Sequence, residues 1–246
     1  MNSFKRMAGW MVLLAACQGG LAQAVEVKPK AAATTADPVA AAVVHPEGEW
    51  RPVKTDTKRN IRTWARLEDD KPWRSFKVEA LLNTSLPALE QVFSSFDTYH
   101  EWYWQVTEAK LLKAVSPTEF YLYMVQNEPV SLPDRDVILH VTVEPRTATR
   151  PVARIRMVAE PDYLPLRPPL VRMKAEELTI TLTPQAEGVL LQAEGFTLPG
   201  TQVPVWASNF VQRTAPFTMA VGLERKVRSL AAKGMEPSLY RLSLAQ

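Results

Sequence analysis

Few residues in this 246-residue chain could carry covalent chemistry. There are three histidines, His45, His100 and His140, and one cysteine, Cys17. No two histidines stand at ligand spacing and no second thiol could assist them, so no metal is expected. His100 with Asp97 and a serine would make a nucleophilic triad only in the sense that any chain contains such a set. The nine glycines form no G-x-S-x-G, phosphate-loop or dinucleotide pattern. No cofactor is expected and no catalytic residue is assigned. Two charged residues are better placed. Arg135 shares strand parity with Val137, Leu139, Val141 and Val143, and Glu176 with Leu178, Ile180 and Leu182. Period two aims both side chains at an apolar face, where a charge is costly unless paired or hydrated. Two readings stand. One is a salt bridge that closes a strand end, Arg135–Asp136 included; the other is a pair of polar groups set in an apolar cavity to orient a ligand's hydroxyl or headgroup.

The stretch LPGTQVPVWASNF, residues 198–210, adds a third feature. Gly200 ends a strand and Pro204 suits the first turn of a helix. Trp206, Phe210, Phe217 and Val221 then recur on one helical stripe, which Arg213 interrupts. Plain core packing explains such a stripe. Pro216 suggests more, because inside a helix it removes a backbone hydrogen bond and favours a kink. A kinked, aromatic helix facing a sheet would suit a lid over a cavity.

The elements that must position these residues read mostly as strands. Alternating apolar residues predict strands near 60–66, 75–83, 106–115, 119–127, 135–144, 153–159, 171–183 and 189–198. Ser85 is an N-cap candidate for a short helix with Leu86, Leu89, Val92, Phe93 and Phe96 on one face. An aromatic link, DTYHEWYW, follows it. The last element, from Val205 to about Ala232, is a long helix. Sequential strands with short turns make an antiparallel sheet, and one long amphipathic helix must bury its apolar face on it. The class expected is α+β, a curved antiparallel sheet wrapped around a C-terminal helix.

The N-terminus reads as an export signal. MNSFKR is short and basic, the next eleven residues are apolar but too few to span a bilayer, and Ala22-Gln23-Ala24 offers a small-x-small cleavage site. Leu14-Ala15-Ala16-Cys17 also resembles the lipobox of bacterial lipoproteins, whose cysteine carries a lipid anchor. Cleavage is thus expected after Ala24 or before Cys17, in an exported, periplasmic protein, soluble or anchored. Neither cut leaves a thiol for disulfide or catalytic work. Residues 25–48 are rich in Ala, Thr and Pro and read as a linker. Residues 49–232 form the expected domain and 233–246 a tail. Hydrophobic residues make up 46% and charged residues 22%, ordinary for a globular chain. The net charge of +3 includes Lys5 and Arg6 of the leader, and no basic helix face interleaved with aromatics points to nucleic acid.

Four short motifs, in order on these elements, resemble one family. They are Glu101-Trp102 after the first helix, Pro133-Asp134-Arg135-Asp136 and Pro169-Leu170-Val171-Arg172 at strand starts, and Gly200, Pro204, Trp206 and Asn209 at the entrance to the last helix. Together they are similar to the START domains, the lipid-transfer relatives of the steroidogenic acute regulatory protein, within the helix-grip superfamily. The resemblance covers about residues 50–230. It implies a START-like helix-grip fold whose tunnel holds one apolar molecule, with binding and transfer rather than catalysis. The chain departs from the pattern at residues 25–48, where a long N-terminal helix has no counterpart, and in the proline-rich stretch PDYLPLRPP at 161–169. The ligand-binding residues expected are Arg135, Glu176, Trp206, Asn209, Phe210, Arg213 and Phe217, in a monomer that binds a lipid or sterol-like molecule and works near a membrane surface. The alternatives are an enzyme of the aromatase and cyclase kind, with Arg135 and Glu176 as its acid and base, and an envelope interaction module with a collapsed cavity.

Overall fold

The computed structural model describes residues 48–68, 73–128, 132–198, 203–231 and 238–243. The leader, Cys17, His45, the linker to residue 47 and Gly200 lie outside the described residues. Ten strands and two α-helices are formed, in the order β1 (Arg51–Asp56), β2 (Ile61–Leu67), β3 (Arg74–Leu82), α1 (Leu86–Ser94), β4 (Val106–Ser116), β5 (Glu119–Gln126), β6 (Arg135–Glu144), β7 (Ala153–Ala159), β8 (Val171–Arg172), β9 (Ala175–Gln185), β10 (Gly188–Leu198) and α2 (Val205–Ala231). A 3-10 helix, Phe96–Glu101, follows α1, where the sequence showed only an aromatic link.

The strands form one sheet in the order β1-β2-β3-β10-β9-β7-β6-β5-β4. Every neighbouring pair in that order is antiparallel. β1 and β4 end the order unpaired with each other, so the curved sheet does not close into a barrel. β8 lies off the main order, parallel to the first two residues of β6, where β7 has already ended. The apolar alternation of 171–183 concealed this break. The structure splits that run at Met173-Lys174 into β8 and β9. β1 was not expected because RPVKTD buries nothing fully and lies at the sheet edge, where alternation is weakest.

One face of the sheet carries the main core. Burial alternates along β9 from Glu176 through Leu178, Ile180 and Leu182, and along β10 at Val189, Leu191 and Ala193. α1 begins as expected, with the Ser85 hydroxyl accepting from the Ala88 amide at 3.4 Å and Pro87 in its first turn. α2 packs against β2, β3, β10 and α1. Residues 238–243, part of the expected tail, also join the core. Tyr240 and Leu242 are buried, Tyr240 stacks on Phe120 at 5.3 Å, and the Leu242 amide donates to the buried Glu90 carboxylate at 2.6 Å.

The opposite face carries a smaller cluster of Tyr123, Val125 and Ile138, covered by Tyr163, Leu164 and Leu170 of the proline-rich loop. Arg172 fastens this loop. Its guanidinium donates to both oxygens of Asp136, at 3.0 and 2.8 Å, and to the carbonyls of Pro161, Leu164 and Pro165. Among the described residues no helix is long and apolar enough to cross a membrane.

Candidate functional site

The space between the sheet and α2 is not fully filled. One cavity, of about 60 Å3, has Phe76 and Val78 of β3, Leu178 and Ile180 of β9 and Leu191 and Ala193 of β10 along its floor. Its end wall is aromatic, made by Phe93, Tyr99, Trp102 and Tyr103, and its roof is Pro216, Met219, Ala220 and Leu223 of α2. A second cavity, of about 50 Å3, adjoins it and shares Phe76, Tyr103, Leu178, Pro216 and Met219. This second space is more polar, with Gln126, Glu176, Thr197 and Gln212 in its lining.

Local sequence explains the walls. Tyr99 and Trp102 are brought inward by the 3-10 helix, and their rings meet edge to face at 4.9 Å. The Tyr99 hydroxyl donates to the Phe93 carbonyl at 2.7 Å, which locks the wall to α1. The roof approaches this wall closely because residue 222 is glycine. A Cβ there would stand 2.6 Å from the Trp102 carbonyl oxygen. Lys226 reaches back to Glu101 at 2.9 Å and holds the same contact from the surface.

Polar groups inside the site are few. Glu176 is 5% exposed, and its Oε2 has no hydrogen-bond partner. Burial pushes its carboxyl up from 4.5 to about 7, so near neutrality a large share holds a proton. The neighbouring Tyr103 hydroxyl is also raised, by burial first and then by Glu176. The Trp102 Nε1 is buried without a partner. Gln212, by contrast, is satisfied. Its side chain accepts from the Thr197 amide at 3.4 Å and donates to the Thr197 carbonyl at 3.3 Å, joining α2 to β10. Such a wall can offer a ligand a carboxyl and an indole N–H in an otherwise apolar space. It has no nucleophile paired with a base, and among the described residues no group of three His, Cys, Asp or Glu could hold a metal.

Arg135 is fully buried, as its strand parity predicts. Its Nη1 donates to the Pro133 carbonyl, whereas Nε and Nη2 have no partner. It stands opposite Gln126 in the β5–β6 register, one residue behind the polar cavity's lining. It forms no ion pair with Asp136, contrary to the strand-end reading. Adjacent residues of a strand face opposite sides, so Asp136 points to the outer face and pairs with Arg172 instead. Nor do Arg135 and Glu176 pair with each other; each keeps buried atoms without partners. The guanidinium does act on Glu128, drawing down a carboxyl that burial raises.

The aromatic stripe of α2 is real but does not roof the cavities: Trp206 and Phe210 are exposed, and Phe217 packs at the edge of the core beside β1. Trp206 is 68% and Phe210 59% exposed, and Phe217 is half-buried with the Lys54 ammonium 3.7 Å above its ring. The half-buried Arg213 lies on this same stripe. A recurrence of four and seven defines a stripe but not the direction it faces. The face turned to the sheet carries Gln212, Ala215, Pro216, Met219, Ala220 and Leu223, smaller or more mixed residues that permit close approach. Asn209 is half-buried and accepts from the Arg74 amide at 3.1 Å, so it fastens the start of α2 to β3. Of the seven expected binding residues, Glu176 alone lines either of these two cavities. The lining residues missed, Tyr103, Met219 and Leu223 among them, carry no sequence signal beyond being apolar or aromatic, whereas Trp102 was noted as part of a motif but not placed in the site.

Comparison with known protein families found no match, nor did comparison with curated proteins. Solved structures do match. A STAR-related lipid transfer protein fragment from Xanthomonas axonopodis superposes with a TM-score of 0.67 at 29% identity, covering 73% of this chain and 98% of that one. Human STARD10 gives a TM-score of 0.63 at 19% identity, covering 75% of each chain. The human StAR-related lipid transfer protein 5 gives 0.58 at 16% identity, covering 73% of this chain and 86% of that one. These superpositions, with the curved antiparallel sheet and the helix packed on it, show that the chain has a START-like helix-grip fold.

Proposed function

We propose that this protein binds a hydrophobic small molecule, a lipid or a sterol-like compound, between the sheet and α2, and carries or senses it in the cell envelope. The observation that carries the reading is the pair of adjoining cavities beneath α2, walled by apolar and aromatic side chains around one unpartnered carboxyl, Glu176. Two further facts support it: structures of the same fold are named as lipid transfer proteins, and one of them shares 29% identity. Spaces of about 50 and 60 Å3 hold only a few waters, so a lipid enters by lifting α2 from the sheet. Pro216 interrupts the hydrogen bonding of α2 at the residue that roofs both cavities, which makes that the place for the helix to bend. Apolar burial drives binding, at roughly 25 cal/mol per Å2 removed from water. Glu176 orients a hydroxyl or other donor of the ligand, and Arg135, behind Gln126, supplies a buried positive charge at the same end. No residue does covalent work.

The leader places the protein outside the cytoplasm in this reading, in the periplasm, either soluble or anchored through a lipid on Cys17, with a membrane as the source or destination of the ligand. The test is native mass spectrometry of the purified protein, followed by identification of what co-purifies. One lipid-like molecule per chain is the expected result. A protein free of ligand that takes up nothing from a total lipid extract would contradict the proposal.

A further inference from the structure

Residues 238–243 pack on the core beyond the end of α2. Burial alternates along them: Tyr240 and Leu242 are buried, Leu239 and Arg241 exposed. The Tyr240 ring stacks on Phe120 of β5 at 5.3 Å. The Leu242 amide donates to one Glu90 oxygen on α1 at 2.6 Å, and Arg241 stands 3.9 Å from the other. The Leu242 carbonyl accepts from the Arg146 amide, just past β6, at 2.8 Å. Two lines of contact run from this segment to the cavity. Glu90 lies one turn before Phe93, whose ring lines the apolar cavity and whose carbonyl accepts from the Tyr99 hydroxyl. From Tyr240 a series of rings also leads inward, Phe120 to Phe96 at 5.8 Å, Phe96 to Tyr99 at 5.5 Å and Tyr99 to Trp102 at 4.9 Å. Tyr99 and Trp102 belong to the aromatic end wall of the cavity, so residues 238–243 back that wall from outside.

We propose that residues 238–243 are a latch on the cavity's end wall. They release as a unit while the sheet stays folded, and their release frees α1 and the aromatic wall, so that the space of about 60 Å3 beneath α2 can lengthen to take a ligand. The hold of the segment is light enough for this. β9 and β10 face each other over eleven residue pairs, whereas the bridge of Ser243 with Arg146 is isolated. A segment with few backbone bonds opens at lower free energy than the sheet it lies on. Release also strands no buried charge. The Glu90 carboxylate exchanges the Leu242 amide and Arg241 for the water that enters as the segment leaves, so it has partners in both states. The part that concerns the ligand rests on the proposed function; the release itself does not.

A reversible cross-link tests the latch. Arg146 and Ser243 are bridge partners, which puts cysteines at the two positions within disulfide reach. Arg146→Cys with Ser243→Cys is made in the full chain together with Cys17→Ser, since Cys17 is the only native thiol. Amide hydrogen exchange, read by mass spectrometry, is compared in the oxidised and reduced protein. Reduction should speed exchange at residues 90–102 at least about tenfold more than it speeds exchange in β9 and β10, because local opening is shut off only where the latch acts. Timed native mass spectrometry with a total lipid extract should show uptake at least about tenfold slower in the oxidised protein than in the reduced one, as for a closed gate. Tyr240→Ala, which needs no cross-link, should speed both exchange at residues 90–102 and uptake relative to wild type. An equal response of wall and sheet to reduction, or uptake at equal measurable rates in both redox states, would overturn the inference. So would wild-type exchange at residues 90–102 in Tyr240→Ala. Exchange that responds as expected with no uptake by any form would contradict the proposed function and leave the latch standing.

Discussion

At the scale of single residues, the buried carboxyl singled out by strand parity is Glu176. Glu176 is raised by burial alone, to about 7 from 4.5. The folded protein therefore binds this proton more tightly than the unfolded chain does. The resulting stability is complete below pH 4.5, falls as the pH rises through 7, and is absent above it. The difference amounts to about 3 kcal/mol. Glu176→Gln should flatten this part of the stability–pH curve and make the protein more stable at pH 8 than wild type, as read by urea unfolding at several pH values. A variant with the same slope as wild type would place the titration elsewhere. Arg172 is the residue whose importance the sequence concealed. It looked like a motif letter, yet it holds Asp136 and three loop carbonyls at once. Arg172→Met leaves the buried Asp136 carboxylate without its cation, with only the Tyr123 hydroxyl still donating to it, and should cost about 3–5 kcal/mol. Because that contact lies on the outer face, ligand affinity per folded molecule should not change.

At the scale of elements, strands were legible and directions were not. Period two located β2 to β7 and β10 within a residue or two, because a half-buried strand must alternate, but it ran β8 and β9 together. It put Arg135 and Glu176 on the inner face correctly, since parity within one strand depends on no distant contact. The direction of the α2 stripe does depend on distant contacts. Gly222 must meet the Trp102 carbonyl, and Gln212 must meet Thr197, before the helix can settle, and neither pairing is visible in local spacing. Two outcomes check this orientation. Gly222→Val drives a side chain into backbone and should destabilise by about 1–3 kcal/mol. Trp206→Ala and Phe210→Ala, in contrast, should each stay within about 0.5 kcal/mol of wild type by thermal unfolding. Large losses at Trp206 or Phe210 would return the aromatic stripe to the core.

At the scale of the whole molecule, the sheet, α1 and the 3-10 helix form a cradle that α2 completes, and the unfilled space lies where they meet. α2 is fastened at both ends, to the sheet by Asn209 to Arg74 and to the 3-10 helix by Lys226 to Glu101, while the interrupted middle at Pro216 covers the cavities. A ligand that enters there must fill the space rather than coat it. The most direct measurement is therefore a comparison of lipid uptake by the delipidated wild type and by Ala193→Trp, a substitution at the cavity floor that occupies the space itself. Native mass spectrometry after incubation with a total lipid extract should show one bound molecule per wild-type chain and none on the folded variant. Equal uptake by both, or uptake by neither, would contradict binding between sheet and helix.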